Sequence, residues 1–151
     1  MIKPISPERK TQNRLIDLFR DDLGYQYLGD WTDRDNSNIE DGLLSAYLLS
    51  AGYTTVHVSR ALHQLRTEAN NPNRSLYDNN KSVYSLLRYG VPVKTEAGVL
   101  TDTIWLVDWK NPEKNHFAIA EEVTLLGNQE RRPDLVLYVN GIAVGMIELK
   151  N

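Results

Sequence analysis

The 151-residue chain has no cysteine. Disulfides, thiolate zinc sites and cysteine nucleophiles are therefore excluded. Long apolar runs are missing as well. No stretch approaches the length of a membrane span, and the opening MIKPISPERKTQNR lacks the apolar segment of a signal peptide. A soluble, cytoplasmic protein with no membrane partner is expected. The three histidines, His57, His63 and His116, show no metal-ligand spacing. Positive charge is not in excess either: 17 Lys and Arg stand against 20 Asp and Glu, a formal net charge of −3. Such a chain does not hold nucleic acid by its overall field, so any such contact must be local or shared with other domains. Carboxylates that hold metal ions add negative charge by themselves, so the acidic balance is only weak evidence against nucleic-acid chemistry.

What is present is globular: 41% hydrophobic and 25% charged residues, at a length suited to one domain with a single core. Ser6-Pro7-Glu8 reads as a helix start, with Ser as N-cap and Pro at the first helical position, and Leu15, Ile16, Leu18 and Phe19 supply an apolar stripe. A helix over 7–22 is predicted. A short extended piece at 25–28 and a polar loop at 30–38 follow. Ile39, Leu43, Leu44, Tyr47, Leu48 and Ala51 recur at helical spacing and predict a helix over 39–51, stopped by Gly52. A third helix is expected over 59–69. The Asn-rich stretch at 70–80 has turn composition, and a short helix through Val83, Leu86 and Leu87 ends at Gly90.

Beyond Gly90, apolar and β-branched residues cluster at 91–95, 101–109, 115–125, 134–139 and 142–150, with turn signals between them. Helices first and strands afterwards predict an α+β, or mixed α/β, domain with a largely antiparallel central sheet. There is no internal repeat.

The last two runs are apolar on both faces, as in strands covered on both sides. Glu148 and Lys150 end the second run two residues apart, hence on one face, and Asp134 begins the first. Charges in such a hairpin are costly unless paired or bound to something. In a regular hairpin the numbers of facing residues have a constant sum, and Asp134 shares a face with Glu148 only if that sum is even. A two-residue Asn140-Gly141 turn pairs 139 with 142, an odd sum that separates the carboxylates. A three-residue loop with Gly141 left-handed, or a bulge within the strands, brings them together. If these residues form a site, one of those two devices is required.

The text RRPDLVLYVNGIAVGMIELKN (131–151) resembles the PD-(D/E)xK nuclease motif in the form found in the R (HsdR) subunit of type I restriction-modification enzymes. Pro133-Asp134, a short hairpin and Glu148-Leu149-Lys150 would alone be a loose pattern. Their combination with DLVLYVNG and the IELKN ending is more specific, and the resemblance extends more weakly to 104–125 and to the segment containing Glu40. It implies a restriction-endonuclease-like fold and Mg²⁺-dependent hydrolysis of phosphodiesters in double-stranded DNA. Asp134, Glu148 and the Leu149 carbonyl would hold the metal, since hard divalent ions prefer oxygen donors. Lys150 would orient or deprotonate the attacking water, or stabilise developing charge. Members of this superfamily often carry an acidic residue on a helix beside the metal, and Glu40, in the apolar stripe of the expected helix, is the candidate. Arg131 and Arg132 are candidates for DNA phosphate contacts.

The bland alternatives are a solvated strand end with a surface ion pair for Glu148 and Lys150, a cap for Asp134, helix-end electrostatics for Glu40, and solvated loop arginines. Trp105 and Trp109 read as core or rim aromatics rather than a base-stacking platform. The type I resemblance further implies methyltransferase (M) and specificity (S) subunits as partners, and helicase-like motor domains that use ATP. No G-x-x-x-x-G-K-[ST] phosphate loop occurs in these residues, so a fragment of a larger subunit is expected, with ATP bound elsewhere. Other PD-(D/E)xK restriction or repair nucleases, and a non-catalytic DNA or subunit docking module, are the competing readings.

Overall fold

A computed structural model describes residues 4–125 and 130–150. They form an α+β protein with four α-helices and a mostly antiparallel open sheet. The chain divides into two compact units, one made of 1–40 and 116–151, the other of 41–115.

In the first unit, helix α1 (Pro7–Asp17) starts where the sequence indicates, Ser6 capping Arg9 N–H at 3.1 Å, and continues as a π-helical turn over Leu18–Asp22. A four-stranded sheet has the order β1 (Gln26–Asp30), β4 (Phe117–Glu121), β5 (Leu135–Val139), β6 (Ile142–Ile147). The β1–β4 pair is parallel and the other two are antiparallel. Side-chain alternation gives each face its own core. Ile119 and Leu135 pack with Ile16 of α1 on one face, flanked by Leu137 and Ile147. On the other face Ala118, Ala120, Val136 and Tyr138 pack with Trp31. The apolar run at 134–139, with hydrophobics on both parities, is explained by this double coverage.

The second unit holds α2 (Asp41–Ser50), α3 (Thr55–Ala69), α4 (Leu76–Tyr89) and a separate antiparallel ribbon of β2 (Val91–Val93) with β3 (Asp102–Ile104). The runs at 91–95 and 101–109 were expected in the central sheet and instead pair with each other. Two helices also start earlier than predicted. Thr54 caps α3 and the His57 ring accepts the Thr54 N–H at 3.2 Å, a reciprocal box with His in the place usually held by Glu or Gln. Ser75 caps α4, so half of the Asn-rich stretch is helical. Gly90 turns the chain from α4 into β2 at φ 82°, where a Cβ would collide with Thr103 Cγ2. Among the described residues, no helix is long and apolar enough to cross a membrane.

Candidate active site

Asn140 and Gly141 form the hairpin turn, with φ of 51° and 82°. Two consecutive left-handed residues match the twist of the flanking strands, and Asn and Gly are the residues that adopt them most readily. The turn therefore has two residues, and the first pairs are Val139 with Ile142 and Tyr138 with Ala143. Had that register continued, Asp134 and Glu148 would lie on opposite faces. It does not continue: Leu137 faces Gly145, Val136 faces Met146, and Leu135 faces Ile147. Val144 is the extra residue, and the sum of facing numbers changes from odd to even across it. β6 ends at Ile147; carried one step past it, the register would set Asp134 opposite Glu148, and an extended chain would set Lys150 on the same face. Of the two devices the sequence allowed, the bulge is present and the longer loop is not.

The strand ends are tied by one further bond: the Leu149 N–H donates to Asp134 Oδ2 at 2.6 Å. Asp134 and Leu149 are half-buried, whereas Glu148 and Lys150 are exposed. This end of the hairpin offers two carboxylates, a main-chain carbonyl and an ammonium to the surface. Such a donor set is all hard oxygen and suits a Mg²⁺-like ion rather than a soft metal. Among the described residues no three His, Cys, Asp or Glu side chains gather as a ready-made metal cage. The fit therefore rests on the carboxylate pair with the Leu149 carbonyl.

Behind Asp134 lies a polar cluster that sequence reasoning missed. The Asp134 carbonyl accepts the Glu122 N–H at 3.0 Å and lies 3.4 Å from Gln12 Nε2. Gln12 is 3% exposed and Glu121 2%. Arg9 donates twice to Glu121, at 3.0 and 3.3 Å, and this pairing raises the Arg9 pKa. Burial, with Glu121 nearby, likewise raises the Tyr27 phenol. The only sequence signal for this cluster was position: Gln12 falls on the apolar stripe of α1, one turn before Ile16.

Glu40 is placed elsewhere. The helix expected from 39 begins at Asp41; Ile39 instead bridges to Ile142, and the Glu40 N–H donates to Gly141 O at 2.7 Å. Glu40 thus sits beside the turn end of the hairpin, and Asp134 lies at the other end of β5, roughly 20 Å of strand away. The Glu40 side chain is paired with Arg34 at 3.0 Å, and the Arg34 guanidinium stacks 3.7 Å over the Trp31 ring. Its helical premise is corrected, and the geometry does not bring it to the carboxylate pair. Arg131 and Arg132 are both exposed. Arg131 makes a two-way backbone bridge with Leu125, and Arg132 pairs with Glu122 at 3.2 Å, next to the Asp134 cluster.

Residues 5–151 match the family of type I restriction enzyme R protein N termini. Among curated proteins the chain is similar to two proteins of Methanocaldococcus jannaschii named as type I restriction enzyme endonuclease subunits. The MjaVIIIP subunit is 40% identical over 57 residues, which is 38% of this chain and 6% of the relative. The MjaIXP subunit is 32% identical over 97 residues, 60% of this chain and 9% of the relative. The matched stretches thus span less than a tenth of those proteins.

Proposed function

The chain belongs to the family of type I restriction enzyme R protein N termini, and from that premise we propose that it is the part of an R subunit that cuts double-stranded DNA. Asp134, Glu148 and the Leu149 carbonyl would hold Mg²⁺, and Lys150 would act beside them. The single observation that carries this reading is the bulge at Val144, after which Leu135 faces Ile147, a register that would set Asp134 opposite Glu148 one step on. The shift lies between Leu137 and Tyr138, and the three pairs between it and the charged end all follow the even register.

When bound, Mg²⁺ would polarise the scissile phosphate and stabilise the charge developing on it. The protein groups have separable tasks. Asp134 is braced by the Leu149 N–H, so one carboxylate oxygen is fixed in direction. Exposed Glu148 meets solvent and substrate, and Lys150 orients the attacking water as an ammonium, or takes its proton only after first losing one of its own. Arg131 and Arg132, exposed just before the motif, contact DNA phosphates near the cut. In the whole subunit, ATP-driven motor domains deliver the DNA, and M and S subunits supply modification and sequence recognition.

The test is cleavage by the full-length assembly with ATP and Mg²⁺, comparing the parent with Asp134→Ala and Lys150→Ala. Loss of cleavage by at least about 100-fold with ATPase and translocation kept is expected, the scale of removing a transition-state contact. Cleavage unchanged in both variants would sink the assignment.

A further inference from the structure

Gln12 is a neutral side chain in a setting that demands donors. Its Nε2 lies 3.3 Å from Glu121 Oε2, 3.2 Å from Glu122 Oε1 and 3.4 Å from the Asp134 carbonyl. A carboxamide nitrogen carries two protons, so three acceptors share them. Glu121 is almost fully buried and held by Arg9 from the same helix. Glu122 has left-handed φ at 55°, a strained value for a residue other than Gly, Asn or Asp, and from it sends its N–H to the same Asp134 carbonyl. Two donors, one from α1 and one from the end of β4, thus converge on one peptide oxygen.

This arrangement is expensive. Burying a carboxylate and an amide costs free energy that an apolar cover over the strand end would not, and left-handed Glu122 adds to it. Other parts of the sheet are covered apolarly, by Ile16 on one face and Trp31 on the other. The polar cluster lies where the chain enters Asp134, and displacement of a reacting group by about 1 Å costs roughly 100-fold in rate.

We propose that Gln12 is a positioning residue: its buried amide, anchored by Glu121 and Glu122, fixes the Asp134 main chain so that the carboxylate faces the metal position shared with Glu148. This rests on the reading of Asp134 as a metal ligand. Gln12 touches neither metal nor DNA; it acts through the Asp134 carbonyl. Methionine matches its length but has no donor, and glutamate matches its shape while replacing the donor with a third carboxylate.

The experiment uses the full-length R subunit and its assembly, with Gln12→Met and Asp134→Ala beside the parent. The first readout is the Mg²⁺ concentration giving half-maximal cleavage. The second is Mn²⁺ binding without nucleotide, followed by the free-ion paramagnetic signal, taken as the component that Asp134→Ala removes. Gln12→Met is expected to raise both the half-maximal Mg²⁺ and the Mn²⁺ dissociation constant about tenfold, a fraction of the full misplacement penalty, while ATPase stays parental. If both stay within about twofold of the parent, set against that tenfold expectation, the proposal is overturned, whether or not the variant melts earlier, because a purely structural role changes the folded fraction and not the metal affinity. Should Gln12→Met fail to fold, Gln12→Glu carries the same two readouts. If Asp134→Ala itself leaves cleavage and Mn²⁺ binding intact, the metal-site reading has failed and takes this proposal with it. Loss in Asp134→Ala with parental behaviour in the Gln12 variants overturns the positioning role alone.

Discussion

The Leu149 backbone N–H donates to Asp134 Oδ2 at 2.6 Å, joining the residue just before β5 to the middle residue of the Glu148-Leu149-Lys150 triplet. A charge-assisted bond of this length orients a carboxylate more firmly than solvent does. It separates two roles of Asp134. Asparagine keeps an oxygen for the Leu149 N–H but has no charge for a cation, whereas alanine loses both. Asp134→Asn should retain stability within about 0.5 kcal/mol and Asp134→Ala should lose about 1–2 kcal/mol in denaturant unfolding, while both abolish cleavage. Equal stability of the two variants would show that the Leu149 bond does not brace the strand ends.

Asn140 should be intolerant of substitution for reasons unrelated to chemistry at the site. It is fully buried with φ 51°, and it exchanges two bonds with His116, accepting its N–H at 2.7 Å through Oδ1 and donating to its carbonyl at 2.8 Å. Asn140→Ala loses the side-chain bond and strains the left-handed turn, and about 2–3 kcal/mol of stability should go with them. A loss below about 0.5 kcal/mol would mean that the turn relaxes to another type.

Tyr138 offers a gain instead. Its hydroxyl is buried with no hydrogen-bond partner among the described residues, and burial, with Glu40 adding, pushes its pKa up. A phenol whose folded pKa is raised favours the neutral form. That contribution is complete below the ordinary phenol range near about 10 and is lost as pH rises above it, because the unfolded chain ionises first. Tyr138→Phe should therefore be neutral to about 1 kcal/mol more stable at pH 7, and its stability should fall less between about pH 10 and 11.5. Steeper alkaline loss in the Phe variant would contradict the sign.

Glu40→Ala should behave as a structural variant. With Arg34 half-exposed and the Glu40 side chain 13% exposed, the pair contributes on the order of 1 kcal/mol. Cleavage by the assembly should stay within a few-fold of the parent; a loss equal to that of Asp134→Ala would return Glu40 to the catalytic set.

How much of this was legible in the sequence depended on the physical signal each part carries. The hairpin was legible because Asn140-Gly141 between β-branched runs has few other solutions, and parity alone demanded a bulge or a longer loop if the charges were to meet. Which device, and that Val144 is its extra residue, was not, since nothing in IAVGMI marks one residue as unpaired. Glu40 was misplaced because a Glu among helically spaced apolar residues looks the same whether it lies in the first turn or just before it; the Ile39 bridge to Ile142 takes that residue out of the helix. The β2–β3 ribbon was drawn into the central sheet because strand partners at long range leave no local trace. Gln12 and Glu121 were passed over since Gln and Glu side chains are ordinarily solvated, and the approach of α1 to the end of β4 buries them.

The central claim is that the register shift brings Asp134 to the face of Glu148 and Lys150, and insertion of one alanine between Ile147 and Glu148 tests it most directly. The pairs from Val139 with Ile142 to Leu135 with Ile147 stay as they are, the alanine takes the place opposite Asp134, and Glu148 and Lys150 move to the opposite face. The measurement is Mg²⁺-dependent DNA cleavage by the full-length assembly carrying the insertion, with ATPase and translocation followed in parallel. Cleavage lost with both motor activities kept is the predicted result. Cleavage retained at the parental rate would contradict the account.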